Sequence, residues 1–142
     1  MVRVIFACVH NAGRSQMAAA FFNQLADPEK AQAVSAGTHP AAQIHPGVEQ
    51  VMLEVGIDLR GKAPQQLTEE LARTSGRLIT MGCGEQCPHV PGLHREDWPL
   101  PDPKGLPLPE VREIRDRIRR RVLELVAREK FERGPSKPSP EE

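Results

Sequence analysis

Cys8-Val9-His10-Asn11-Ala12-Gly13-Arg14-Ser15 is the stretch on which the fold turns. A short, mainly apolar run, Val2 to Ala7, precedes it and reads as a buried strand. Ser15-Gln16-Met17-Ala18-Ala19-Ala20-Phe21-Phe22 follows and reads as the start of a helix. A cysteine thus stands at the C-terminal end of a strand, and a tight loop leads from it into a helix N-terminus. Open α/β sheets place their ligands at that edge. Free backbone N–H groups and the helix dipole favour an anion there.

The spacing C-x5-R-S carries chemistry. A nucleophilic sulfur must be a thiolate, and loop N–H groups with a helix N-terminus favour that form. Five intervening residues allow the backbone of Val9, His10, Asn11, Ala12 and Gly13 to curl round a tetrahedral oxyanion. Arg14 returns to the same oxyanion, and its planar fork holds two oxygens at once, as a lysine cannot. Ser15 is placed both to cap the helix and to donate to the sulfur. Asn11 suits a left-handed backbone position and braces the loop. The bland alternative is a buried, inert Cys8 beside a surface arginine.

The chain has 142 residues, enough for one domain with one core. Residues 1–131 are expected to form it, and 132–142, rich in Pro, Ser and charge, a disordered tail. There are 19 basic and 19 acidic residues, so bulk charge favours neither a nucleic acid nor a membrane partner. No apolar run approaches the roughly 18 residues of a membrane span. No signal peptide is visible, and the expected location is the cytoplasm. Three cysteines in a reducing compartment favour catalysis or metal binding over structural disulfides.

Further along, Ala31 to Ala36 reads as a second strand, and the return through the first helix makes a right-handed βαβ unit. Pro40 to Pro46 is a loop in which His45, with His39 just before it, reads as a solvated histidine. Val48, Val51, Met52 and Val55 mark a helix over 47–55. Leu67 to Arg73 is a short helix with Thr68 as N-cap. Leu78 to Met81 is a third strand, and His94 to Trp98 a short fourth. Asp102-Pro103-Lys104-Gly105 lies in a proline-rich loop. Pro109 to about Phe131 is the longest helix, and its Arg117, Arg119, Arg120 and Arg121 read as a solvated face. The pattern predicts an α/β fold. In a four-stranded parallel sheet of order 2-1-3-4 with helices on both faces, the loop after the third strand emerges beside Cys8.

That loop is Gly82-Cys83-Gly84-Glu85-Gln86-Cys87-Pro88-His89. Two thiols three residues apart admit a redox relay, in which one attacks a sulfur adduct and the next resolves the disulfide. With His89 and His94 they also spell C-x3-C-x-H-x4-H, which zinc accepts, though the spacing is not that of a standard finger. Two idle reduced thiols are the third reading.

The loop around Cys8 resembles the phosphate-binding loop of the low-molecular-weight protein tyrosine phosphatases. More closely, Arg14-Ser15-Gln16-Met17 is similar to the arsenate reductases built on the same fold, where the phosphatases usually carry proline in place of Gln16. Val34-Ser35-Ala36-Gly37, Cys83, Cys87 and Asp102-Pro103 extend the resemblance over about residues 1–130. It implies reduction of arsenate to arsenite, with phosphate and sulfate as mimics of the substrate. It implies a relay from Cys8 through Cys83 to Cys87, with Asp102 as the acid. Thioredoxin or another thiol reductant is the implied partner, and neither an organic cofactor nor a catalytic metal is required. Weak phosphatase activity is compatible with the same groups. The alternatives are a phosphomonoesterase of the phosphatase type and a non-enzymatic oxyanion or arsenite sensor. Position 13 is Gly where many relatives carry a second loop cysteine. Ala19 and Gln66 stand where some related reductases hold potassium through carboxylates, so no such site is expected here.

Overall fold

The computed structural model describes residues 1–82 and 93–134. At its centre is β1, Val2–Cys8. One side of β1 pairs in parallel with β2, Ala31–Gly37, from Val2↔Ala31 to Cys8↔Gly37. The other side pairs with β3, Arg77–Thr80, from Val4↔Arg77 to Ala7↔Thr80. β4, His94–Asp97, adds outside β3. The sheet is wholly parallel with order β2-β1-β3-β4, as expected.

Both faces of β1 are covered, which is why its sequence is a run and not an alternation. Val4, Phe6 and Cys8 face the larger core with α1 (Arg14–Leu25), α2 (Pro46–Leu53) and α4 (Leu108–Arg128). Ile5 and Ala7 face the smaller one, with Leu67, Leu78 and Ala72 of α3, Glu69–Arg73. Met17, Ala18, Phe21 and Phe22 form the buried stripe of α1. Phe22 meets Phe6 edge-on at 5.9 Å and Phe131 at 6.0 Å, and Phe6 lies 5.6 Å from Trp98. Each such ring pair adds about 0.5–1.5 kcal/mol to the burial itself.

Helix boundaries differ from the sequence pattern for local reasons. α2 begins at Pro46, whose missing N–H costs nothing in a first turn. α3 starts after Thr68, whose hydroxyl accepts from Leu71 N at 3.0 Å as expected of a cap. α4 stops at Arg128 and not near Phe131. Lys130 takes φ 59°, which turns the chain and folds Phe131 back onto Phe22. Glu132 then bridges to Ala26. Arg117, Arg119, Arg120 and Arg121 are exposed, as a solvated face requires. Among the described residues no helix is long and apolar enough to cross a membrane. Residues 135–142 of the expected tail, and the loop carrying Cys83, Cys87 and His89, lie outside the described residues.

Candidate active site

Parallel strands end at one edge, so the C-termini of β1, β2 and β3 bring three loops together. Cys8 is the last residue of β1 and is buried. The loop after it is fastened by its carbonyls to the segment following β2. His39 N donates to Val9 O at 2.8 Å, Ala41 N to His10 O at 2.9 Å and His45 N to Ala12 O at 3.0 Å. With those carbonyls turned outward, the N–H groups of Ala12, Gly13 and Arg14 have no acceptor among the described residues. They stand at the positive end of α1, which has no acidic residue in its first turn. This is the arrangement that binds an oxyanion.

Asn11 adopts φ 50°, the left-handed position expected of it. Its side-chain oxygen accepts from Gln65 N at 2.9 Å, a group that can only donate, so the amide orientation is fixed. Its Nδ2 therefore donates to Ser15 Oγ at 2.6 Å. The Ser15 hydroxyl lies 2.9 Å from Cys8 Sγ and is left to donate to it. Asn11 N–H points at the same sulfur from 3.3 Å. Two donors on one sulfur suit it to carry the negative charge of a nucleophile. The Ser15–sulfur contact was expected from the sequence, but Ser15 is not the cap. The helix starts one residue earlier, at Arg14, with Gly13 in the capping position and no side-chain cap.

Arg14 is buried to 7% exposure. Its Nη1 donates to Leu100 O at 2.9 Å, and its Nη2 approaches Asp102 Oδ2 at 3.9 Å. Asp102, with a 42% exposed side chain, accepts from Lys104 N through its other oxygen at 3.0 Å. The sequence-predicted Cys8, Arg14 and Asp102 thus come to one mouth. Two glycines let this happen. Gly82 takes φ +97°, and a Cβ there would run into the Arg14 guanidinium. A Cβ on Gly13 would lie 2.8 Å from Pro103 Cγ and 3.6 Å from His45 Cδ2.

His45 is half buried at this mouth and not a solvated loop residue. Burial pushes its imidazole below the usual histidine range, Asp102 pulls the other way, and Lys104 and His10 add to the lowering. Nothing local in the sequence marks His45, because its partners are more than thirty residues away. Gln16 was visible within the motif. Its bonding was not: Nε2 donates to Asn11 O at 3.1 Å, Asn11 Oδ1 at 3.2 Å and Ala63 O at 3.4 Å. A cavity of about 560 Å³ lies behind the loop, lined by Gln16, Asn23, Ser35, Lys62 and Gln65 among others, and by neither Cys8 nor Arg14.

A protein of Synechocystis named glutaredoxin arsenate reductase is 34% identical over 131 residues, spanning 90% of this chain and 98% of the relative. A solved structure of the thioredoxin-dependent arsenate reductase of Corynebacterium glutamicum matches with TM-score 0.78 at 40% identity. It covers 90% of this chain, and this chain spans 61% of that longer one. An arsenate reductase solved in the phosphate binding state gives TM-score 0.78 at 32% identity, covering 90% of this chain and 98% of the other. The family model described as low molecular weight phosphotyrosine protein phosphatase matches residues 3–134, from the first strand past the last helix. A match of that extent, on a sheet of this order, places the chain in the low-molecular-weight phosphotyrosine protein phosphatase family, where it is similar to the arsenate reductases.

Proposed function

We propose that this chain reduces arsenate to arsenite for arsenic detoxification, with Cys8 as nucleophile and Cys83 and Cys87 completing a thiol relay. Arsenate, shaped like phosphate, lies on the N–H groups of residues 9–15 and the Arg14 fork. The Cys8 thiolate attacks arsenic, and the departing hydroxide takes a proton from Asp102. The Cys83 sulfur then attacks the Cys8 sulfur. The S–As bond breaks with its electron pair going to arsenic, which leaves as arsenite, and a Cys8–Cys83 disulfide remains. Cys87 attacks Cys83, freeing Cys8. Thioredoxin or another dithiol such as glutaredoxin reduces the Cys83–Cys87 pair, in the cytoplasm where such reductants work. Gly82 rests against Arg14, and Cys83 is the next residue in the sequence, which supports the first relay step.

One observation favours this over the phosphatase reading. A phosphotyrosine pocket needs aromatic walls. The chain has no tyrosine, four phenylalanines and one tryptophan, and all five rings (Phe6, Phe21, Phe22, Phe131 and Trp98) are buried at 8% exposure or less. None is free to line a substrate slot. The test is arsenate-dependent NADPH consumption with thioredoxin and its reductase, or the glutaredoxin system, on wild type and on Cys8→Ser, Cys83→Ser and Cys87→Ser. Turnover in wild type and loss in all three variants is expected. Loss in Cys8→Ser alone would remove the relay. Aryl phosphate hydrolysis requiring only Cys8, without arsenate turnover, would turn the reading to a phosphatase.

A further inference from the structure

Gln16 is 5% exposed, and its side-chain amide faces three oxygens: Asn11 O, Asn11 Oδ1 and Ala63 O. Only the nitrogen end of an amide can stand there, so its orientation is settled by its surroundings. Such a buried amide must be fully used or it costs more than an apolar side chain of the same shape. Here it reaches across the nucleophile's loop to tie residue 11 to residue 63.

We infer that Gln16 is a positioning residue for the nucleophile, acting on Cys8 through Asn11 and Ser15. The inference rests on Cys8 being the reactive thiol. Asn11 Oδ1 receives two donors, Gln16 Nε2 at 3.2 Å and Gln65 N at 2.9 Å. Those two donors hold the Asn11 amide so that Nδ2 faces Ser15 Oγ at 2.6 Å. A Cys8 thiolate 2.9 Å away can only accept, so the Ser15 hydroxyl, held from its other side by Asn11 Nδ2, donates to it. The bond from Gln16 to Asn11 O also holds the left-handed turn that aims Asn11 N–H at the sulfur. Without Gln16 the Asn11 side-chain oxygen keeps only the Gln65 N–H, so the amide is held less firmly and its bond to Ser15 Oγ weakens. The sulfur then loses part of the field that suits it to attack. Neutral hydrogen bonds in series polarise one another, so the loss is felt at the end of the chain of bonds.

The test is carboxamidomethylation of the full-length reduced chain, following the Cys8 peptide by mass, across pH 5 to 9. In Gln16→Leu the Cys8 rate at neutral pH should fall about three- to tenfold, with its pH profile displaced to higher pH. Ser15→Ala should do at least as much. In the Ser15→Ala background Gln16→Leu should cost less than it does in wild type, because one of its two routes to the sulfur runs through Ser15. Gln16→Met repeats the test if the leucine variant does not fold, and thermal melts report folding for each. A folded Gln16 variant with an unmoved profile overturns the inference, as do Gln16 and Ser15 effects that add in full. A wild-type Cys8 that reacts no faster than Cys83 and Cys87 would instead overturn its role as nucleophile, and with it the premise.

Discussion

Arg14 serves two partners with one planar group. Nη1 donates to Leu100 O in the loop that carries Asp102, and Nη2 lies 3.9 Å from Asp102 Oδ2. A lysine has the charge but neither the fork nor the reach to Leu100 O with a second donor left for an oxyanion. Arg14→Lys should therefore lower kcat for arsenate by about 10²–10³, the range seen when one preorganised donor to a developing oxyanion is lost. It should also leave Leu100 O without its donor and lower Tm. Steady-state kinetics beside a thermal melt check both. Activity close to wild type would mean that the backbone N–H groups alone hold the anion.

At the scale of elements, the loop carrying Asp102 is seated by Pro103 against the start of α1. The seat requires position 13 to have no side chain, since a Cβ would fall 2.8 Å from the buried Pro103 ring, which cannot bend aside. Gly13→Ala should thus lift Asp102 away from Arg14, at a cost of about 1–3 kcal/mol for the overlap. It should reduce kcat about tenfold while Cys8 alkylation stays near wild type. Adding Pro103→Ala makes room and should restore part of the rate. If the double variant is no better than the single, the fault lies in the loop of residues 9–13 and not in the seating of Asp102. The elements themselves were legible in the sequence because their signals are local. The run over Val2–Ala7, the spacing of Cys8 and Arg14, and Thr68 as a cap each act within one turn or strand. Ser15 was misassigned as a cap because helix start is decided by one residue, and Gly13 can end the loop without any side-chain bond. The contacts of Pro103 with Gly13, of His45 with the loop and of Gln16 with Ala63 were not legible. They join segments that only the finished sheet brings to the same edge.

For the whole molecule, charges at the site edge and along α4 link stability to pH. His45 is held below its ordinary value of 6.5, first by burial, then by Lys104 and His10, with Asp102 opposing. Between its lowered value and 6.5 the unfolded chain therefore binds more protons at residue 45 than the folded chain does. Stability rises with pH wherever the unfolded state binds more protons, so it must decline as acid carries the solution down through 6.5. Carboxylates act later. Glu54 is held below its ordinary 4.5 chiefly by the Arg112 hydrogen bond. Glu96 is held below it despite burial, by Trp98 and Arg128. Their contribution is intact above 4.5 and is lost only on further acidification. Urea unfolding at pH 8, 7, 6 and 5 should show the first decline in wild type. It should be shallower in His45→Asn, whose side chain suits the position before Pro46 and does not titrate in this range. The carboxylate contribution should be the same in both proteins, because Glu54 and Glu96 are common to them. Equal slopes between pH 7 and 5 would mean that burial of His45 does not carry the decline.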